Sequence, residues 1–72
     1  MHVEFTAIIE PAEEGGFWAY CPEVPGANGQ GESVEEVKKD LAAAIELMLD
    51  VMREEALKKA SPLARREPLV FA

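Results

Sequence analysis

The feature that most constrains this chain is the stretch 34–60, which contains neither proline nor glycine. Apolar residues recur in it at three- and four-residue steps, the spacing of one face of an α-helix. These residues are Val34, Val37, Leu41, Ala44, Ile45, Met48 and Met52. The spacing predicts a single helix of roughly 24 residues and about 36 Å. In a chain of 72 residues such a helix leaves room for one small domain, spanning residues 1–72.

The start of this helix carries its own signal. Ser33-Val34-Glu35-Glu36 fits a capping box, in which the serine oxygen accepts from the amide of the third helical residue. The Glu36 carboxylate is expected to accept from the Ser33 amide in return. Glutamates in the first turn also suit the positive end of the helix dipole. The helix is therefore predicted to begin directly after Ser33.

Three short strands are predicted ahead of the helix. His2–Glu10 alternates between two faces and should end at Pro11, because proline cannot donate to a ladder. Phe17–Cys21 and Ala27–Gly31 are the second and third strands. A Glu-Glu-Gly-Gly turn joins the first pair, and a rigid Pro-Glu-Val-Pro-Gly corner, residues 22–26, joins the second pair. The three strands should form an antiparallel meander.

A last strand is predicted at the apolar triplet Leu69, Val70 and Phe71, after a proline-containing loop over 61–68. The order β-β-β-α-β defines an α+β fold. Each element reverses the chain, so the last strand should run parallel to the first through a right-handed crossover. The single helix covers one face of this sheet and leaves the other face open.

The open face is predicted to carry Ile8, Trp18 and Tyr20. A face with two large aromatic side chains and no cover is a candidate partner surface. The alternative is that these side chains pack only against each other across the strands. Glu13, Glu14 and Glu23 lie in predicted turns, where their carboxylates could approach a basic partner.

The charge of the chain is strongly negative and unevenly distributed. Net charge is −7, and eleven of the fourteen acidic residues lie in 1–52, whereas five of the seven basic residues lie in 53–72. Nucleic acid is disfavoured as a partner because phosphate binding depends on lysine and arginine. An acidic body attracts basic proteins, although solubility alone would also explain it.

Catalytic and targeting signals are weak. Cys21 is the single cysteine and His2 the single histidine, with no spacing that links them, so Cys21 is expected to be a small core residue. The carboxylates do not form the converging set of a two-metal nuclease. No signal peptide and no apolar run of membrane-spanning length is present. We expect a cytoplasmic protein without enzymatic activity, cofactor, metal site or membrane association.

The stretch from Gly15 to Val37 contains a series of motifs: Gly-Gly-aromatic, then Pro22-Glu23-Val24-Pro25-Gly26, then Gly31-Glu32-Ser33 and the Glu35-Glu36 pair that enters the helix. This series resembles the HicB-like antitoxins. It implies a partial ribonuclease-H-like fold without a nuclease site, and a small basic partner toxin that cleaves messenger RNA. Turn and cap roles are expected for six residues: Pro22, Pro25, Gly26, Gly31, Ser33 and Glu36.

The chain departs from the family pattern at three points, and these departures bear on the expected function. Ala27 stands where cysteine is common, and Val37 where alanine is common. The sequence corresponds to a short form without the C-terminal DNA-binding segment, so direct DNA binding is not expected. Two functions remain open: an antitoxin-like module that neutralises a toxin, or an orphan homo-oligomeric module with a regulatory or structural role. A retained nuclease is a third, weaker alternative.

Overall fold

Residues 4–71 are described by a computed structural model, which contains three antiparallel strands followed by one long helix. The strands are β1 (Ile8–Pro11), β2 (Phe17–Tyr20) and β3 (Asn28–Gly31), in the order β1-β2-β3. The helix is α1 (Val34–Lys59). This arrangement confirms the predicted α+β class, the antiparallel meander and the long helix.

The β1–β2 connection is a glycine turn. The Gly15 amide donates to the Ala12 carbonyl at 3.1 Å, and the Ala12 amide donates to the Gly16 carbonyl at 3.0 Å. Both glycines adopt positive φ, 101° and 74°, which a residue with a side chain rarely takes. The register that follows pairs Ile8 with Tyr20 and Glu10 with Trp18.

The β2–β3 connection consists of two consecutive turns. The Val24 amide donates to the Cys21 carbonyl, and the Ala27 amide donates to the Val24 carbonyl, each at 3.1 Å. Pro22 and Pro25 occupy the second position of these turns, where their fixed φ is already correct. Gly26 follows with a φ of 95°, as a type II turn requires, which confirms the turn roles predicted for these residues.

The helix begins where the capping signal predicts. The Glu36 amide donates to Ser33 Oγ at 3.2 Å, and Ser33 itself is extended. One detail of the prediction is wrong: the Glu36 carboxylate accepts from the Glu32 amide at 3.0 Å, not from that of Ser33. Glu32 follows the last residue of β3, so its amide has no ladder partner and takes the carboxylate instead.

The helix lies directly on the backbone of β3 and also packs on β2. A Cβ on Gly29 would lie 2.6 Å from the Leu41 nitrogen, and one on Gly31 would lie 2.8 Å from the Val37 nitrogen. Only glycine allows this approach. The buried core formed in this way consists of Ala19, Cys21, Val24, Ala27, Val37, Leu41 and Ile45. The prediction that Cys21 is a core residue is thereby confirmed.

The apolar stripe of the helix is covered over only part of its length. Ala44 and Met48 still pack against the core, but Met52 is exposed and so is Val34 at the other end. The sheet is shorter than the helix, so the helix continues past it. Met52 lies past the end of the sheet and is 53% exposed.

The first strand is shorter than predicted. Its first residues, His2 and Val3, lie outside the described residues, and residues 4–7 form no ladder pairs. Since Ile8 pairs with Tyr20, the position opposite Thr6 would be Pro22, where the chain already turns away and has no amide to offer. Pro11, predicted to end the strand, instead pairs with Phe17 as the last residue of β1.

No strand forms at the predicted last strand in residues 4–71. A turn at Ser61–Ala64, closed by the Ala64 amide on the Ser61 carbonyl at 3.0 Å, follows the helix. Leu69, Val70 and Phe71 are 85%, 88% and 70% exposed. A strand needs a neighbour for its backbone groups, and no strand among the described residues pairs with the triplet. In the same range, no helix is both long and apolar enough to cross a bilayer.

Candidate protein-binding surface

The sheet face opposite the helix carries the predicted cluster. Strand pairing places Ile8, Trp18 and Tyr20 on that face, while Ala19 between the two aromatic residues is fully buried under the helix. Trp18 is 43% exposed and Tyr20 is 37% exposed. We call these three residues the aromatic face. Their predicted placement together is confirmed, and nothing else in residues 4–71 covers them.

The two aromatic rings are held by each other. Their centroids lie 5.6 Å apart at an interplanar angle of 25°, an offset stack between residues two apart on one strand. Stacking fixes both side chains before any partner arrives, which lowers the entropy lost on binding. The arrangement offers a rigid, half-exposed aromatic surface, the kind that dominates the energetics of many protein interfaces.

A ring of carboxylates surrounds the Trp18 end of this surface. The depression at the β1–β2 turn is lined by Trp18 together with five glutamates: Glu10, Glu13, Glu14, Glu32 and Glu36. We call these five residues the acidic rim. Its charge favours arginine and lysine side chains, and Trp18 adds an aromatic ring on which a cation can stack. The structure therefore joins two of the predicted binding carboxylates, Glu13 and Glu14, to the aromatic face.

Glu23 lies at the opposite end of β2 and has a different role. Its carboxylate accepts from the Thr6 amide and the Thr6 hydroxyl, each at 2.7 Å, and from the Cys21 thiol at 3.2 Å. These bonds, the one from the Thr6 amide first, lower the pKa of Glu23 to about 2. The expectation that Glu23 is free to approach a partner is wrong, because the carboxylate ties the segment before β1 to the β2–β3 corner.

A second surface, which the sequence did not predict, lies between the segment before β1 and the helix. It is an apolar groove of about 630 Å³. Its apolar lining consists of Phe5, Ala7, Leu41, Ala42, Ala43, Ile45 and Leu49. The only sequence signal for it was the position of Ala42 and Leu49 beside the main helix stripe, which gave a wider apolar face than one short sheet can cover.

Residues 4–71 contain no cluster of side chains arranged to bind a metal ion. No group of three or more histidine, cysteine or carboxylate side chains converges there as a metal site would require. Cys21 is buried and donates its thiol hydrogen to Glu23, and no histidine lies in this range. The surfaces described above are suited to recognition of another macromolecule.

The fold and its open face define a small α+β module with one unpartnered sheet face. The chain belongs to the UPF0150 family. It is 58% identical over 50 residues to UPF0150 protein ssl0738 of Synechocystis sp., a match that covers 69% of each chain. It is 33% identical over 51 residues to a UPF0150 protein of Archaeoglobus fulgidus, covering 71% of this chain and 74% of that protein.

A second Synechocystis protein, UPF0150 protein ssr1765, is 35% identical over 46 residues, and there the match covers only 58% of the relative. No family model matches the chain. No solved structure matches it either.

Proposed function

We propose that this chain is an antitoxin-like module that binds and neutralises a small, basic, messenger-RNA-cleaving toxin of a type II toxin–antitoxin pair. The observation that carries the proposal is the aromatic face, rigid and exposed, with the acidic rim beside it. The resemblance of the Pro-Glu-Val-Pro-Gly corner and the capped helix to HicB-like antitoxins supports the same conclusion. The module acts by occupying the toxin and carries out no reaction itself.

The chemistry of the partner follows from its substrate. A protein that holds and cleaves RNA needs lysine and arginine near the phosphates, so its working surface is positive. A chain with a net charge of −7 presents the opposite sign to that surface. Binding there would mask the RNA site by charge and by volume together.

The two parts of the surface have separate tasks in this mechanism. The acidic rim acts at long range, so it raises the association rate and is screened by salt over about 8 Å at physiological ionic strength. The aromatic face acts at contact, where desolvated aromatic side chains set the dissociation rate. The same charge argument predicts that the chain alone does not bind duplex DNA at physiological salt.

The proposed fold is a partial ribonuclease-H-like sheet. The β1-β2-β3 meander with a helix on one face agrees with that architecture, and a further strand beside β1 would complete it. We also propose a cytoplasmic location and no nuclease activity, because the converging carboxylates needed to hold catalytic metals are not seen in residues 4–71.

The test begins with co-expression of the chain and a small basic protein encoded beside it, followed by pull-down and an RNA-cleavage assay. The expected result is a complex in which cleavage is blocked. No complex with any adjacent basic protein, together with unrestrained toxicity on co-expression, would overturn the antitoxin function.

Kinetics on that complex separate the two tasks. Reversing Glu13 and Glu14 to lysine should lower the association rate most at low salt, and Trp18→Ala should mainly raise the dissociation rate. A matched control reverses Glu54 and Glu55, an exposed pair on the distal helix with the same change in net charge. Association that is equally slowed by both reversals, or indifferent to salt, would mean that the rim does not steer the partner.

A further inference from the structure

Within residues 4–71, the β1 edge of the sheet is open. The Thr6 amide points toward the β2 side, where it donates to Glu23. Because amides alternate between the two edges of an antiparallel strand, those of Ala7 and Ile9 face outward. The opposite edge of the sheet is partly closed, since the outward Gln30 amide of β3 donates to Asp40 of the helix at 2.8 Å. A further strand can therefore add beside β1.

The apolar groove lies directly against this open edge. Phe5 and Ala7 line one side of it, and Ala42, Ile45 and Leu49 of the helix line the other. Phe5 is 44% exposed, because the helix packs over β3 and β2 and leaves the β1 side of the sheet uncovered. A strand added to β1 would place every second side chain into this groove.

The chain also carries a segment suited to that position. Leu69, Val70 and Phe71 are apolar, consecutive and mostly exposed. In an extended conformation Leu69 and Phe71 point to one face and Val70 to the other. Such a triplet can cover the groove with two side chains while its backbone pairs with the outward groups of β1.

We propose that residues 69–71 of one chain add as a strand, parallel to β1, to the open edge of a second copy, and that the exchange is reciprocal. Leu69 and Phe71 enter the groove of the partner copy, and Val70 lies beside Ile8 on the other face. Two chains related by a twofold axis satisfy both edges and both grooves at once. The inference does not rest on a toxin partner, because it leaves the two aromatic rings of Trp18 and Tyr20 free.

The reach of the tail selects a second copy over the chain itself. Strand pairing aligns Ile9 with Ala19 and Gly29, and Gly29 lies on Leu41 of the helix. A strand beside Ile9 must therefore come back to the level of Leu41. The tail turns back beside the end of the helix, where Ala64 and Pro68 line a depression together with Leu57. From Leu57 the level of Leu41 is about 24 Å away along the helix axis.

The tail is too short for that return in its observed conformation. The turn at Ser61–Ala64 is closed by two hydrogen bonds, so it contributes little length. From Ala64 to Phe71 the chain spans about 24 Å when fully extended. It would also have to cross from the helix layer to the sheet layer. The tail of a second copy is restricted neither by this length nor by the need to cross between the layers, because it approaches the groove from outside.

Charge complements the apolar contact. Lys38 and Lys39 line the groove nearer the start of the helix, whereas Glu46 lines it farther along, and Asp50 follows Glu46 one helical turn later. A tail with Leu69 beside Ala7 brings Arg65 and Arg66 to the end of the groove where these two acids lie. Among residues 4–71, Arg65 pairs with Glu67 at 3.4 Å, and both side chains are exposed, so this pair costs little to exchange.

Disulfide trapping with two separately purified variants tests the occupant of the groove. One full-length chain carries Ala7→Cys and the other Leu69→Cys, and they are mixed under mild oxidation. Cys21 is buried, and the unmodified chain serves as the blank. Tail exchange predicts a heterodisulfide of twice the chain mass. The control pair, Ala7→Cys with Leu63→Cys, should not cross-link, because Leu63 lies in the same tail but outside the triplet.

The double variant Ala7→Cys/Leu69→Cys separates the alternatives. An intrachain disulfide in a monomer would overturn the proposal in favour of the chain's own tail. Failure of both the mixed pair and the double variant to cross-link would overturn it as well. A heterodisulfide formed as fast by the Leu63 control would show random collision and would count against it.

Sedimentation of uncross-linked protein gives the second measurement. Replacing Leu69 and Phe71 together by aspartate should raise the dissociation constant of the dimer about tenfold or more, because charged groups cannot enter the apolar groove. Leu63→Asp should leave it unchanged. Leu63, Leu69 and Phe71 are all exposed in the single chain, so circular dichroism should show the same helix content in every variant. A dimer that withstands the double replacement would overturn tail exchange.

Discussion

The body of the molecule, residues 8–48, and its arm, residues 49–71, are built from similar proportions of apolar residues but use them differently. In the body these residues close a core in which seven side chains are buried. In the arm they stay exposed: Val51, Met52, Leu63, Leu69, Val70 and Phe71. The difference shows that the buried core of the described residues is confined to the body and that the apolar side chains of the arm do not contribute to it.

Element length produces this division. A helix of 26 residues is about 39 Å long, whereas strands of four residues span about 13 Å. The sheet therefore ends near Met48, whose side chain approaches Gly26 in the β2–β3 corner. Everything after that level projects, and the Cα positions extend over 52 Å in the longest direction.

The largest effect should come from closing the space between helix and sheet in the body. Gly29→Val places side-chain atoms where the backbone of Leu41 already lies, and backbone atoms cannot move aside. We expect a loss of about 3–4 kcal/mol, much of the stability of so small a domain, in urea denaturation. Gln30→Val, at the next position and on the open face, is the control and should be neutral or slightly stabilising.

A matched pair of truncations compares body and arm directly. Leu41→Ala removes a buried side chain of the body and should cost about 2–3 kcal/mol. Met52→Ala, on the same helix stripe but in the arm, should cost less than about 0.5 kcal/mol for the monomer. Both values come from denaturation at low protein concentration. Equal costs would mean that the arm is packed as tightly as the body in solution.

The boundary of the helix gives a smaller effect. Ser33→Ala removes the acceptor of the Glu36 amide and should lower stability by about 1 kcal/mol, while Ser33→Asp keeps an acceptor and should restore it. Thermal melts followed by circular dichroism report both. If alanine and aspartate behave alike, the helix in solution starts at another residue.

The body was largely predictable because its signals are local. The cap at Ser33, the positive φ of Gly26 and the alternation that places Trp18 and Tyr20 on one face each depend on a few neighbouring residues. The helix, predicted to span roughly 24 residues, has 26. The aromatic half of the candidate site followed from the same period-two pattern.

The remainder depends on residues far apart in the chain. The alternation of His2–Glu10 does not reveal that β2 stops opposite Ile8, so the first strand was predicted too long. Glu23 bonds to Thr6, 17 residues away, and no local pattern distinguishes such an anchor from a free turn carboxylate. The last strand was predicted from its composition, but a strand also needs an edge within reach, and composition does not measure reach.

The smallest predicted effect concerns the link between the body and the segment that precedes it. The three hydrogen bonds to Glu23 favour its ionised form, so the folded state holds its pKa at about 2, below the ordinary value of 4.5. A lowered folded-state pKa stabilises the fold above about pH 4.5, and this contribution is lost as pH falls toward 2. Glu23→Gln should therefore destabilise the chain at pH 7 but hardly at pH 2. The effect should be smaller than that of the helix cap, because solvent screens these exposed partners.

Denaturation of the unmodified chain and of Glu23→Gln at pH 7, 4.5 and 2.5 measures the gap between their free energies of unfolding. Thr6→Val is a control that removes the hydroxyl donor and keeps the amide. A gap that stays constant with pH would show that the charge of Glu23 does not hold this segment.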